Sequence, residues 1–452
     1  MTQTLGLKPK RVSWMLDSIV YVLRSMWGSI WTHTEVLITY FPLIIMVELP
    51  LILMMLVGVF KWYWRNQHSE LDRAPSLSIV ITCYGEGDAI KKTIDTLVEQ
   101  IYPGNIEILA VVDGAVQNQH TYASAVESQQ QHQHRKDRLV RVVPKWQRGG
   151  RVSTLNTGLY KAKNEIVINV DGDTSFDNDM AFNIAKQFNN ANVVASGGAL
   201  RVRNWQDNVL TRMQALEYMM SMQAGKTGTR EFGLLNNISG AFGAFRKTVL
   251  RRVGGWDTHT AEDLDLTFRF KQYHARYPNI RLAFTPHAIG HTDAPSTIRD
   301  FTLQRLRWDG DLLFLYFRKH MKGMTPKLLT WPVFLYTLVY GVLQNVLIPV
   351  LVVMYCMYVL IVYPVVFTIS AFILIYLVYL AIVFIKFSIY WVLISERKSL
   401  DIKLIGWLLA YPSYALFARS ITAFSIFNEL IRRSHEESSM APWWVLKRGK
   451  RF

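Results

Sequence analysis

From Leu328 to Leu393 the chain is almost uninterruptedly apolar. A helical crossing of a bilayer takes about 20 apolar residues, so this tract suits two spans turning near "VYPVV". A second tract, residues 35 to 60, reads "EVLITYFPLIIMVELPLILMMLVGVF" and ends in the aromatic and basic anchors "KWYWR". Pro42, Glu48 and Pro50 interrupt it; proline is tolerated in such helices, and a carboxylate at that depth faces protein or a cavity. Upstream, Met15, Ile19, Val22, Met26 and Ile30 form one helical stripe with Asp17 and Arg24 on another face, the pattern of a helix lying in the interface. After the long tract, "SERKSLDIK" is a short basic loop of the cytoplasmic kind. Residues 404 to 427, broken at Pro412 and carrying Arg419, read equally as a span or as a re-entrant or interfacial piece. The basic ending "WWVLKRGKRF" argues for a cytoplasmic tail, which a single last crossing would contradict. The opening "MTQTLGLKPKRVSW" lacks the compact apolar run of a removed signal peptide.

A net charge of +16 points to anionic partners: nucleic acid, lipid headgroups or a phosphorylated small molecule. Nucleic acid would explain the charge but not the spans. The two cysteines, Cys83 and Cys356, cannot build a disulfide framework or a cysteine-based zinc site.

Between the membrane parts, residues 73 to 325 have soluble composition. His132 and His134 lie in its one biased stretch and read as part of a solvated face rather than a metal site. "LSIVITC" (77–83), "IEILAVV" (106–112), "LVRVV" (139–143), "EIVINV" (165–170) and "NVVASGG" (192–198) read as short strands, most of them apolar on both faces. Alternating with helical stretches such as "DAIKKTIDTLVEQ", they predict an α/β domain with a mostly parallel sheet covered on both sides. Ligands of such sheets bind beyond the carboxyl ends of the strands. The first strand runs into "CYGEGDA", the second into Asp113, and the fourth into "DGD" with Asp171 and Asp173. Carboxylates gathered there repel unless a cation neutralises them. A divalent magnesium or manganese ion shared with a substrate diphosphate is the simplest such cation. "QRGGRVSTLNTGL", which contains Arg151, offers basic side chains, backbone amides and a helix start to a phosphate. In "HTAEDLDLTFRF" the acids Glu262, Asp263 and Asp265 cannot all point the same way from one helix. They serve either as helix-start acids or, in Asp263, as a general base.

"VVDG", "DGD", "AED" and "QRLRW", in this order and flanked by membrane tracts, resemble the processive membrane-embedded family 2 glycosyltransferases, the group of cellulose, chitin, hyaluronan and poly-N-acetylglucosamine synthases. The resemblance implies a GT-A-like sheet domain inserted between transmembrane helices, with interfacial amphipathic helices. The implied division is 1–65 for the N-terminal interfacial helix and span, 73–298 for the cytoplasmic transferase domain, 299–325 for an interfacial helix with the QRLRW motif, 328–430 for the C-terminal membrane region and 431–452 for a basic tail. It implies that Tyr84, Glu86, Asp113, Arg151, Asp171, Gln304, Arg307 and Trp308 bind the nucleotide-sugar, and that Asp173 holds the metal. Asp263, beside Glu262, would be catalytic, and Ser239, Gly240 and Trp308 would meet the acceptor. Two positions depart from the pattern: Ala261 stands where many relatives have threonine, and Asp309 follows the tryptophan.

The expected activity is processive, inverting polymerisation of a β-linked polysaccharide from a UDP-sugar, leaning to UDP-N-acetylglucosamine, by a multi-pass protein of the cell membrane that translocates the product across it. The expected partners are the donor, the growing polymer, lipid and an accessory membrane subunit, without nucleic acid. A single-sugar transferase acting on lipid, or a catalytically inactive nucleotide-binding regulator, would share most of these features.

Overall fold

The computed structural model describes residues 9–35, 44–65, 70–258 and 260–433. Residues 36–43 of the first apolar tract, His259 and the tail from 434 onward lie outside the described residues.

The strand segments are apolar throughout because each feeds two cores. In β1 (Leu77–Cys83) and β2 (Ile106–Asp113) every residue is buried. Side chains alternate across a strand: Ile79, Ile81, Ile108 and Ala110 enter one cluster, while Val80, Leu109 and Val111 enter the other. The remaining strands are β3 (Arg138–Lys145), β4 (Ile166–Asp171), β5 (Ser175–Phe176), β6 (Val193–Val202), β7 (Phe242–Arg246) and β8 (Arg281–Thr292). They form an eight-stranded sheet in the order β3-β2-β1-β4-β7-β6-β8-β5.

The half β3-β2-β1-β4 is parallel. Strand β7 then runs antiparallel between β4 and β6. Strand β8 is parallel to β6, and β5 is antiparallel to β8. Four of the seven pairings are parallel, so the sheet is mostly parallel as expected, with antiparallel pairings where β7 and β5 join it. The strands β5, β7 and β8 carry no clean strand signal in the sequence. In β8 the pairing jumps from Gly198–Thr285 to Ala199–Ile289, leaving Pro286 in the irregularity, where a residue without an N–H costs no ladder bond.

Three helices among the described residues are long and apolar enough to cross a membrane: Met46–Arg65, Trp331–Val362 and Val365–Leu393. The last two meet at Tyr363 and Pro364, at the expected turn. The N-terminal helix Pro9–Thr32 exposes Ile19, Val22, Trp27 and Trp31, as an interfacial helix would. The ambiguous tract from 404 becomes the end of a 3₁₀ stretch and the helix Tyr411–Arg432, which is not among the three. Its Arg419 pairs with Glu48 at 2.5 Å, and Tyr379 donates to the same carboxylate at 2.5 Å. Glu48 thus faces protein, and the terminal helix is bound to the first span. That span docks on the sheet domain backbone to backbone: a Cβ on Gly58 would lie 2.0 Å from the Gly228 carbonyl oxygen, and one on Gly228 would lie 2.2 Å from that of Met55.

Candidate active site

The strand ends gather the acids as the sequence implies, but several have partners the sequence does not disclose. Asp113 is buried at the end of β2. Its Oδ1 accepts from Lys145 Nζ at 2.5 Å and Gly149 N at 2.9 Å, and its Oδ2 accepts from Gly150 N at 2.8 Å. Asp113 therefore braces the basic loop. Gly150, at φ 82°, has the positive φ that glycine adopts without strain.

That loop ends at Arg151, the first residue of helix Arg151–Lys161. Its guanidinium, expected to meet the nucleotide, is taken up by protein: Nη1 lies 2.5 Å from Asp171 Oδ1, Nε donates to Glu262 Oε1 at 2.6 Å, and Nη2 donates to the Gly240 carbonyl at 2.6 Å. Arg151 thus joins the "DGD" turn to the "AED" helix. At the rim, Tyr84 is exposed, with the Arg148 guanidinium 4.0 Å from its ring centroid. Glu86 lies against Gly172, where an added Cβ would be 2.9 Å from its carboxyl carbon. Its Oε2 is buried without a hydrogen bond. Desolvation and the nearby charges of Asp173 and Asp171 raise the Glu86 carboxyl. Desolvation and the Asp171 charge likewise raise Asp173.

The acidic helix Glu262–Arg276 sorts its three acids into three directions. Glu262 turns to Arg151. Asp265 turns away to Arg269 at 2.7 Å and Lys319 at 2.9 Å, and its pairings, including a hydrogen bond to His320, hold it far below the usual carboxylate range despite burial. Asp263 remains at the cleft, its Oδ2 accepting from Asn237 Nδ2 at 2.8 Å and Gly240 N at 3.2 Å. A side chain at Gly240 would meet Glu262 Oε1 at 2.8 Å, so the close approach requires glycine. The same carbonyl of Gly240 accepts from Asn169. Neighbouring Ser239 accepts from Ala241 N at 3.3 Å through its hydroxyl. Ala261, before the helix, adopts a left-handed φ of 51° that is costly for a residue with a Cβ. Its N–H is held by Asp311 Oδ2 at 3.2 Å.

Asp311 belongs to the helix Ile298–Phe314, which carries Gln304, Arg307 and Trp308. This bond ties the QRLRW helix to the acidic one. Burial and the charge of Glu262 push the Asp311 carboxyl up to about 8, against the opposing charge of Arg307. Gln304 Oε1 is buried without a partner. Trp308 is half-buried against the main core. Asp309 points away from the cleft to Thr422 Oγ1 at 2.7 Å, and burial pushes it up to about 6.

Contacts therefore join Asp171, Arg151, Glu262, Gly240 and Asp263 into one network, with Asp113 behind it and Glu86 and Asp173 beside it. Gln304, Arg307 and Trp308 lie on the helix that Asp311 ties to it. Lys145, Asn169, Asn237 and Asp311 were not singled out from the sequence. Asn169 lies two residues before Asp171, Asn237 two before Ser239 and Asp311 three beyond Trp308, each just outside a motif.

A mixed α/β sheet with acids at adjoining strand ends, followed by helices of membrane-spanning character, is a GT-A-like glycosyltransferase architecture. Residues 78–254 match the glycosyl transferase family 2 model, so the chain carries a family 2 glycosyltransferase domain. It is homologous to poly-beta-1,6-N-acetyl-D-glucosamine synthase of Staphylococcus epidermidis, with 28% identity over 53% of this chain and 55% of the relative. The synthase of Staphylococcus aureus is 24% identical over 56% of this chain and 60% of its own length. The chain thus spans little more than half the length of these relatives. Among solved structures, a mannosyltransferase from Pyrobaculum calidifontis, in complex with GDP-Man and Mn2+, aligns with a TM-score of 0.50. At 17% identity over 82% of this chain and 97% of that one, it speaks for the fold alone.

Proposed function

We propose that the chain is a processive, inverting glycosyltransferase that polymerises N-acetylglucosamine from UDP-N-acetylglucosamine at the cytoplasmic face of a membrane and passes the product out between its C-terminal spans. The observation that carries this reading is the Arg151 network. It binds the strand-end acids, the Asp263 helix and, through Asp311, the QRLRW helix into one assembly directly ahead of paired apolar helices. The names of the staphylococcal relatives supply the sugar.

A divalent cation fits the residues present. Glu86, Asp171 and Asp173 share one side of the site, and Glu86 has a buried oxygen without a partner. All these donors are oxygens, which suits magnesium or manganese. Among the described residues no three His, Cys, Asp or Glu side chains form a ready metal cage. Asp173 would hold the ion together with diphosphate oxygens, as magnesium is commonly held. When bound, the ion supplies positive charge to the departing diphosphate.

The chain's own residues do the rest. Tyr84 and Arg148 form a flat surface for the base. Gln304 and Arg307, three residues apart on one helix, take the diphosphate. Ser239, Gly240 and Trp308 hold the terminal sugar of the acceptor. Asp263, fixed by Asn237 and Gly240, accepts the proton of the acceptor hydroxyl as that oxygen attacks the anomeric carbon opposite the leaving group. One displacement converts an α-linked donor to a β-linked product without a covalent enzyme intermediate.

The test is to give membranes bearing the protein single UDP-sugars and to type the product with specific glycosidases. UDP-N-acetylglucosamine alone is expected to yield polymer, and Asp263→Asn to lower the rate by about 10²–10⁴-fold. Wild-type output from a correctly inserted Asp263→Asn protein would refute the assignment.

A further inference from the structure

The QRLRW segment contains a second arginine, Arg305, that the mechanism above does not use. Its Nη2 donates to Glu217 Oε2 at 2.5 Å, and the Tyr414 hydroxyl donates to the same oxygen at 2.5 Å. Three separate helices, Val209–Glu217, Ile298–Phe314 and Tyr411–Arg432, therefore meet at one carboxylate. The side chains of Arg305 and Glu217 are only 12% and 16% exposed. Along its own helix the guanidinium lies between two rings, 5.1 Å from the centroid of Phe301 and 5.4 Å from that of Trp308. Arg305 Nε is buried and makes no hydrogen bond. The terminal helix clamps the same turn, with Ser425 Oγ donating to the Leu306 carbonyl at 2.9 Å.

We propose that Arg305 is a positioning residue: anchored by Glu217 and Tyr414, it fixes the plane of the Trp308 ring and so the platform on which the acceptor sugar rests. This rests on the reading of Trp308 as part of the acceptor site. A planar guanidinium can pair with a carboxylate and stack on a ring at once, whereas an ammonium pairs without that planar stacking. Glu217 makes the buried charge tolerable, and the stacked face orients the indole.

The test compares wild type, Arg305→Lys, Trp308→Phe and the double variant as purified full-length protein. The measured quantities are KM for a short β-linked N-acetylglucosamine oligosaccharide and for the donor. Arg305→Lys keeps the charge beside Glu217 and is expected to raise acceptor KM about tenfold, with donor KM changed by less than about twofold. In the Trp308→Phe background the same change is expected to add less than about twofold, because its route of action is gone. Equal effects in both backgrounds, or equal effects on both substrates, would overturn the proposal.

The emission of Trp308, taken as wild type minus Trp308→Phe, gives an independent readout. Greater quenching by acrylamide in Arg305→Lys supports positioning, and unchanged quenching overturns it. Failure of the wild type to elongate any acceptor would count against the proposed function, and the fluorescence would then decide the role of Arg305 by itself.

Discussion

Arg151 touches an acid from each half of the site, Asp171 at 2.5 Å and Glu262 at 2.6 Å, with its side chain 16% exposed. Removing one member of a buried pair strands the other charge, which costs about 3–5 kcal/mol. Arg151→Met is therefore expected to lower the melting temperature clearly and to abolish transfer, while Arg151→Lys retains part of both. A heating series on the purified variants measures this; an unchanged melting temperature would show that the acids do not depend on Arg151. The positions of the acids were legible in the sequence because Asp113 and Asp171 end apolar strands and Glu262 stands in the acidic start of a helix. Their partners were not. "QRGGR" offers its arginines to any anion, and only the fold turns Arg151 towards Asp171 and Glu262 and fills the oxygens of Asp113 with Lys145, Gly149 and Gly150.

The QRLRW helix and the acidic helix are joined where Asp311 accepts the Ala261 N–H. Burial and Glu262 hold the Asp311 carboxyl up at about 8, against 3.8 for an unperturbed group. The folded chain thus keeps this proton over a pH range in which the unfolded chain has lost it. Its contribution to stability is whole below the unfolded value and disappears as pH climbs towards the folded one. The melting temperature is expected to fall between pH 5 and 8, and Asp311→Asn to flatten that slope. Glu262, raised in the same sense, leaves a residual. A variant slope equal to that of wild type would show that Asp311 does not set this pH dependence. At this scale the parallel strands were legible from their apolar runs. The strands β7 and β8 were not, because their glycines and Pro286 break the pattern. The terminal helix was also ambiguous: Arg419 looked misplaced in a membrane tract until Glu48, far away in the sequence, supplied its partner.

Across the whole molecule, the first span lies on the sheet domain at Gly58 and Gly228, and Arg65 at its end pairs with buried Glu231 at 2.8 Å. The terminal helix holds both Glu48 of that span and, through Thr422 and Ser425, the QRLRW helix. The membrane-type helices are thereby bonded directly to the elements that carry the candidate site, which places them beside it for the passage of polymer proposed above.

In the proposed mechanism, acids from separate strand ends serve one cation that grips an activated sugar. The most direct measurement of this is polymer formation from UDP-N-acetylglucosamine by purified protein in lipid nanodiscs, with manganese, with excess chelator, and with Asp173→Asn. The expected result is β-linked polymer with manganese, its loss in chelator, restoration on returning the ion, and no comparable restoration in Asp173→Asn. Undiminished polymer in excess chelator, or from Asp173→Asn, would contradict it.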